Sequence, residues 1–147
     1  MSDSKHPVDL ETLFFTKCSV SAVPNHIESE TKDSGEIANH IEIHPTDDTG
    51  RKWTAMMRTV VNAEKDPAWP YHVEMEAVAF LATDETLDEA TARRGVLITA
   101  HNVLFGAIRE NVLWITGRQP YGPLMLGLSV LAPPPPAVKS GAAKAPK

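Results

Sequence analysis

The sequence lacks the features that mark several classes of protein. It contains a single cysteine, Cys18, in 147 residues, which excludes an internal disulfide framework and a zinc site built from several cysteines. No run of 18 or more apolar residues is present, so no transmembrane helix is predicted. The N-terminus also lacks the apolar core of a signal peptide. We therefore expect a soluble cytoplasmic protein that does not insert into membranes.

Motifs for catalysis are missing as well. No glycine-rich phosphate loop, no GxSxG and no HExxH occurs in the chain. A lone cysteine such as Cys18 is more typical of a small apolar packing residue than of a nucleophile. The sequence therefore predicts neither an enzyme nor a bound cofactor.

One set of residues has the composition of a metal site. His40, Glu42 and His44 alternate along a predicted strand and project from one face, and two histidines with one carboxylate can bind a metal ion. However, alternate residues lie about 6.8 Å apart along a strand, which hinders their convergence on one ion. We interpret the set as the solvent face of an amphipathic strand and predict no metal site.

Acidic residues are scarce in the C-terminal part of the chain. Residues 1–92 carry 18 acidic and 7 basic side chains, whereas residues 93–147 carry 1 acidic and 7 basic ones, and the whole chain has a net charge of −5. This acidic balance argues against a general nucleic-acid binder. The negative charge belongs mainly to the predicted strands and loops.

Hydrophobic periodicity indicates an α+β domain in which four strands precede a long helix. Alternating apolar residues predict strands over residues 13–23, 37–44, 51–63 and 71–82. Short turn signals separate the later strands, so we predict a four-stranded antiparallel sheet in meander order.

The helix is predicted from a change of period after the fourth strand. Thr86 and Glu89 have the spacing of a capping box, helical periodicity continues to about Thr116, and Gly117 is placed to end the helix. A helix of 30 residues would span about 45 Å, so we expect a break near Arg94-Gly95.

Apolar residues cover more of this helix than one sheet face can bury, because a surface helix needs an apolar stripe only about 100° wide. We therefore predict that the helix also packs on another subunit. The predicted oligomer interface comprises Val103, Leu104, Ile108, Val112 and Ile115.

Composition divides the chain into three parts. Residues 1–12 are polar and predict a flexible N-terminus, and residues 13–132 hold the folded domain. Residues 133–147 begin with four prolines and continue with alanine, lysine and proline, a composition that cannot build a core and predicts a disordered tail.

Large apolar side chains are more numerous than a small sheet needs. Most of them suit a core or an oligomer interface, but methionine and aromatic residues also suit a groove for varied apolar segments. The candidate groove residues are Trp53, Met57, Phe80, Trp114 and Met125.

Several motifs, taken in order, resemble the SecB family of protein-export chaperones. They are the helix segment LFGAIRE at residues 104–110, the helix end Gly117-Arg118, the segment PLML at residues 123–126 and the strand start FTK at residues 15–17. The helix end is also similar to SecB-like chaperones that accompany toxin–antitoxin systems. The resemblance covers residues 13–131 and implies a homotetramer, a dimer of dimers, in which the long helices form much of the subunit contact. It also implies binding of unfolded polypeptides, without ATP, in apolar grooves between sheet and helices.

The sequence departs from the family at the positions through which, as the resemblance implies, family members dock the translocation motor SecA. Two acidic positions of the family's first strand align with Cys18 and Ala22, whereas Glu74 aligns with an acidic docking position and is the candidate docking residue. The tail has no cysteine or histidine, so it cannot supply the zinc-binding segment that family tails carry. Its prolines also leave little room for the family's second helix.

We therefore predict an ATP-independent chaperone that keeps non-native polypeptides export-competent or unaggregated. The first alternative is a SecB-like chaperone dedicated to one antitoxin or other partner protein. The second is a hot-dog-like thioesterase or dehydratase, which needs a catalytic carboxylate on the helix, and only Glu110 is available there past residue 92.

Overall fold

Four β-strands and one long helix make up the described part of the chain. The structure, a computed structural model, describes residues 5–27 and 36–131. The strands are β1 (Val8–Ala22), β2 (Ile37–Pro45), β3 (Lys52–Val61) and β4 (Tyr71–Thr83), and the helix is α1 (Glu89–Thr116). The α+β prediction is confirmed: a four-stranded antiparallel sheet precedes a helix that packs on it.

The order of strands in the sheet is β1-β4-β3-β2, and each neighbouring pair is antiparallel. β2, β3 and β4 follow one another as in the predicted meander, but β1 pairs with β4 instead of β2. β1 and β2 therefore form opposite edges of the sheet, which is the strand order of a Greek key. Turn signals show which strands form hairpins, and they do not show which edge the first strand joins.

β1 begins earlier than the sequence predicted. It starts at Val8 instead of residue 13, and Glu11 within this added part forms an ion pair with Lys52 of β3. Residues from Val8 onward therefore belong to the sheet, although a flexible segment was expected over residues 1–12. The predicted tail, residues 133–147, lies outside the described residues.

Alternate side chains of the central strands form the core. The predicted alternation places one face of β3 and β4 against α1, and burying each large aliphatic side chain there stabilises the fold by about 1.5–3 kcal/mol. The buried residues of this face are Trp53, Ala55, Met57, Thr59 and Val61 in β3 and Tyr71, Val73, Met75, Ala77, Ala79 and Leu81 in β4.

The start of α1 differs from the predicted capping box. Asp88 is the N-cap, and its carboxylate accepts a hydrogen bond from the Thr91 backbone N–H at 2.8 Å, which lowers the pKa of Asp88. Thr86 instead belongs to a turn in which the Asp84 carboxylate accepts hydrogen bonds from the hydroxyl and the backbone N–H of Thr86. The predicted boundary was wrong because an aspartate closer to the helix satisfies the same open donors.

α1 is one continuous helix of 28 residues, about 42 Å long, so the break predicted near Arg94-Gly95 is wrong. Gly95 instead permits close packing, because an added Cβ would lie 3.2 Å from Cγ2 of Val8 in β1. The sheet can support this length, since the 13 residues of β4 span about 43 Å. Within the described residues, no helix combines the length and apolar character needed to cross a membrane.

After α1 the chain turns back over the domain, and buried hydrogen bonds fix that turn. The Tyr71 hydroxyl donates to the Gly122 carbonyl at 2.7 Å, and burial raises the pKa of Tyr71. The Thr116 hydroxyl accepts from the Leu124 backbone N–H at 2.8 Å. These contacts set the direction in which residues 123–131, hereafter the C-terminal segment, leave the helix.

Candidate functional site

Two strongly exposed large apolar side chains belong to the end of α1 and the C-terminal segment. Trp114 is 60% exposed and Met125 is 65% exposed. The Arg118 guanidinium stacks 3.9 Å from the centre of the Trp114 ring and donates to the Trp114 carbonyl at 3.0 Å. This cation–π contact helps to hold the indole at the surface.

A cleft of about 240 Å³ lies between α1 and the C-terminal segment. Gly106, Arg109, Glu110 and Leu113 line it from the helix, and Met125 lines it from the segment. The four helix residues are spaced at i, i+3, i+4 and i+7, which places them on one face of α1. The cleft therefore combines apolar walls with two charged groups of opposite sign.

Arg109 has one donor without an acceptor beside this cleft. Its Nε is shielded from solvent and has no hydrogen-bond partner within the described residues. A buried donor that lacks an acceptor costs about 1–3 kcal/mol.

The C-terminal segment is held to the domain by side chains. Leu126 is 2% exposed and belongs to the core, and the Ser129 Oγ lies 3.1 Å from both Asn39 Nδ2 and His101 Nε2. Leu128, between these two points, is 85% exposed. In the part of the chain that the structure describes, no backbone–backbone hydrogen bond joins residues 124–131 to the sheet. The segment thus carries apolar side chains on the surface without being a fifth strand.

The five predicted groove residues occupy three different places. Trp114 and Met125 are exposed as described above. Trp53 and Met57 are buried in the core beneath α1, so they offer no surface to a ligand of this chain. Phe80 is partly exposed on the opposite face of the sheet. The structure therefore leaves only Trp114 and Met125 available on the helix side.

The predicted interface residues also differ in how deeply they are buried. Leu104, Ile108 and Val112 are fully buried against the sheet, and a side chain with no exposed area in one chain has none to bury against another subunit. Val103 and Ile115 are only partly buried. An interface through α1 therefore has to use the outward side of the helix.

Glu74, the predicted docking residue, lies on the sheet face that points away from α1. Its carboxylate accepts from the Lys17 ammonium at 2.5 Å and lies 3.5 Å from both Arg58 Nη2 and His72 Nε2. The hydrogen bond from Lys17, with Arg58 nearby, holds the pKa of Glu74 below its ordinary value. Its negative charge is thus already matched within the sheet.

Cys18 and Ala22, the two other positions that the resemblance connected with docking, lie on the side of the sheet that faces α1. The Cys18 sulfur lies 3.3 Å from Asn111 Nδ2 of the helix, and Ala22 pairs with Tyr71 in the register of β1 and β4. Because directly paired residues share a face, Ala22 points to the same side as the buried Tyr71. Neither residue contributes to the outer face of the sheet.

The His40, Glu42 and His44 set lies on the exposed edge strand β2, as the alternation predicted. The Glu42 carboxylate is 2.8 Å from His40 Nε2 and 3.5 Å from His44 Nε2, and hydrogen bonds from the two imidazoles lower the pKa of Glu42. Within the described residues, no group of three or more His, Cys, Asp or Glu is arranged to hold a metal ion.

Sequence reasoning did not single out Leu128 as an exposed site residue. A signal for Leu128 was available. Residues 124–131 are apolar, yet Pro123 precedes them and Gly127 interrupts them, which disfavours a helix. An extended chain directs successive side chains to opposite sides, so about half of this run had to be exposed.

Comparison with known proteins shows the fold of this chain but does not assign it to a sequence family. No protein-family profile and no curated protein matches the sequence. Among solved structures, the chain is similar to a SecB-like chaperone of Mycobacterium tuberculosis, which was solved in complex with a ChAD peptide from the HigA1 antitoxin. The alignment has a TM-score of 0.52 and 17% identity, and it covers 84% of this chain and 91% of that one. The chain has a SecB-like fold.

A second solved structure supports the same architecture. A protein of unknown function from Streptococcus agalactiae aligns with a TM-score of 0.56 and 11% identity over 82% of this chain and 97% of the other. The SecB-like fold accounts for the order of four strands followed by one long helix. Similarity at these identities concerns the fold alone.

Proposed function

We propose that this protein is an ATP-independent chaperone that binds unfolded or non-native polypeptides and keeps them export-competent or unaggregated. The observation that carries the proposal is the exposure of two large apolar side chains, Trp114 at the end of α1 and Met125 in the wall of the cleft, on a SecB-like fold. Exposed apolar patches mark interaction sites, and tryptophan and methionine suit ligands of varied shape.

The mechanism requires binding and no bond chemistry. A dissociation constant of 1 μM corresponds to about 8 kcal/mol, whereas burying one large apolar side chain contributes about 1.5–3 kcal/mol. Several apolar side chains of one client must therefore bind together, which favours extended apolar segments over folded proteins. Bound segments are withdrawn from folding and aggregation by mass action.

We also propose that the protein works as a homotetramer, a dimer of dimers, assembled through the outward side of α1. Val103 is only partly buried and Ile98 is exposed, so both have apolar area left to bury against a second chain. An added Cβ at Gly106 would meet no atom within 4 Å, so a second helix can approach closely at this position. Size-exclusion chromatography with light scattering is expected to give the mass of four chains.

A dedicated partner, such as one antitoxin, is the second candidate. The neutralised Glu74 and the inward-facing Cys18 and Ala22 leave few free acidic groups at the positions that the resemblance connected with SecA. The structurally similar mycobacterial chaperone was solved with an antitoxin peptide. Comparable affinity for many unrelated unfolded proteins would favour the general chaperone, whereas affinity for a single partner would favour this alternative.

The proposal is tested by titrating the protein into a fluorescein-labelled unfolded polypeptide and measuring anisotropy without nucleotide. The double variant Trp114→Ser/Met125→Ser is expected to weaken binding at least fivefold. The matched control is Ile27→Ser, because Ile27 is 71% exposed and lies outside the proposed surface. Equal binding by the wild type and the double variant would contradict the proposed site, and no binding by the wild type would contradict the function.

A further inference from the structure

We propose that residues 127–131, the end of the C-terminal segment, lie in a client-binding groove of their own chain, and that an extended apolar segment of a client displaces them from it. The inference rests on the proposed function and names the surface that the client occupies. Residues 127–131 are hereafter the strap. Gly127, the most permissive residue for a change of backbone direction, separates the strap from the buried Leu126.

The strap lies between β2 and α1, because one of its hydroxyls contacts both elements. The Ser129 Oγ is 3.1 Å from Asn39 Nδ2 of β2 and 3.1 Å from His101 Nε2 of α1. Asn39 is paired with the buried Thr59 in the register of β2 and β3, so it points to the side of the sheet that carries α1. The groove is therefore bounded by the inner face of β2 and by the flank of the helix.

The wall formed by β2 is apolar and only partly covered. Ile37 and Ile41 share a face with Asn39, because alternate residues of a strand point to the same side. Ile37 is 37% exposed and Ile41 is only partly buried, although both point to the side that carries α1. The strap does little to cover them, since its Leu128 and Val130 are 85% and 86% exposed. The groove thus holds a segment whose two most exposed apolar side chains face solvent.

Few contacts hold the strap in the groove. Among the described residues, its hydrogen bonds are those of the Ser129 hydroxyl, and none joins the strap backbone to the sheet. Each such bond adds only modestly to stability, because folding exchanges it for a bond to water. Burial of one large apolar side chain contributes more than one such bond. A client segment that remakes these bonds and also buries an apolar side chain can therefore displace the strap.

The polar groups of the groove fit the main chain of a client. Asn39 is held in place because its Oδ1 accepts from the Thr59 hydroxyl at 2.7 Å. His101 is 5% exposed, and its ring stacks on Phe105 with 6.2 Å between the ring centres. Both side chains converge on one oxygen of the strap, and a carbonyl oxygen of an extended client can take the place of Ser129 Oγ. Every polypeptide offers such an oxygen, so the site does not require one particular sequence.

Ser129→Ala tests whether the strap competes with the client. The substitution removes the hydroxyl that holds the strap and leaves Asn39 and His101 in place. Apparent affinity rises with the fraction of molecules in which the site is open. We therefore expect Ser129→Ala to bind fluorescein-labelled, reduced and carboxymethylated α-lactalbumin at least threefold more tightly than the wild type does. Ser21→Ala is the matched control, because Ser21 is exposed on the opposite face of the sheet, and it should leave the affinity unchanged.

Displacement itself is measured with a nitroxide spin label on Leu128→Cys in the full chain, with Cys18→Ser removing the native thiol. Release of the strap by an excess of unlabelled client should make the label more mobile and narrow its spectrum. A client that binds on top of the strap would make the label less mobile. The same label on Ser21→Cys should not respond.

The outcomes separate this inference from the proposed function. If the wild type binds the client and Ser129→Ala binds it equally or more weakly, the strap does not compete, and the chaperone proposal still stands. A label at residue 128 that does not become more mobile with bound client would also overturn the inference. This includes a label that is already immobile in the free protein because a second copy covers the strap. No binding by the wild type would overturn both proposals.

Discussion

The C-terminal segment contains a matched pair of leucines that tests how this segment packs on the domain. Leu126 is 2% exposed and Leu128 is 85% exposed, although they are only two residues apart. Replacing a buried leucine by alanine costs about 2–5 kcal/mol, whereas a surface substitution usually changes stability by less than about 0.5 kcal/mol. We expect Leu126→Ala to cost about 3 kcal/mol, towards the low end of the range, because a segment without backbone ladder bonds can relax into the cavity.

The measurement is urea-induced unfolding of the wild type, Leu126→Ala and Leu128→Ala at one protein concentration, since self-association would make stability depend on concentration. For a domain of this size, about 3 kcal/mol corresponds to a fall of roughly 9 °C in melting temperature. Leu128→Ala should melt within about 2 °C of the wild type. Equal losses for the two variants, or no loss for Leu126→Ala, would refute the placement of the segment on the core.

Three further predictions concern polar contacts. Thr116→Val, which removes the acceptor for the Leu124 N–H, should cost about 1–3 kcal/mol in urea unfolding, and the same change at Thr99 should cost little. The pKa of Glu74 is lowered in the folded state. The unfolded chain therefore binds more protons in acid than the folded chain does. The contribution of Glu74 to the free energy of unfolding is present above its ordinary pKa and is lost as the pH falls below that value. Glu74→Gln should therefore flatten the fall of melting temperature below about pH 4.5, and an unchanged acid slope would contradict the ion pair. The raised pKa of Tyr71 has the opposite consequence, since stability is present below about pH 10 and is lost above it; Tyr71→Phe should be less stable at neutral pH and less sensitive to alkali.

The central strands were predictable because burial alternates strictly along them. Met57 and Val73 are buried and their neighbours Met56 and Glu74 are less so, which follows from the two-residue period of a strand. The position of β1 was not predictable in the same way. Its pairing with β4 depends on contacts between residues far apart in sequence, and local turn residues carry no information about such contacts.

The candidate site was only partly predictable, since large apolar residues serve both cores and binding surfaces. Trp53 and Met57 alternate with the other inward residues of β3, and this pattern outweighed their size in deciding where they lie. Trp114 and Met125 lie beyond such a pattern, on the outward side of α1 and in an irregular segment. The unpaired Nε of Arg109 is a feature that only three-dimensional placement reveals.

The structure also shows where the charged residues lie in the fold. Much of the acidic charge lies on the sheet and its loops, where Lys17 and Arg58 offset Glu74 and Lys52 offsets Glu11. After residue 94, the only formally charged side chains of α1 are those of Arg109 and Glu110. An extended apolar client approaching this side of the domain therefore meets few charges that it would have to desolvate.

We propose that this chain binds non-native polypeptides through exposed apolar side chains that include Trp114 and Met125. The most direct test is light scattering from a client enzyme diluted out of guanidinium chloride, with the protein in molar excess and no nucleotide. We expect the wild type and Ile27→Ser to suppress aggregation to the same extent, and Trp114→Ser/Met125→Ser to suppress it much less at unchanged melting temperature. Aggregation of the client at the same rate with and without the wild-type protein would contradict the account.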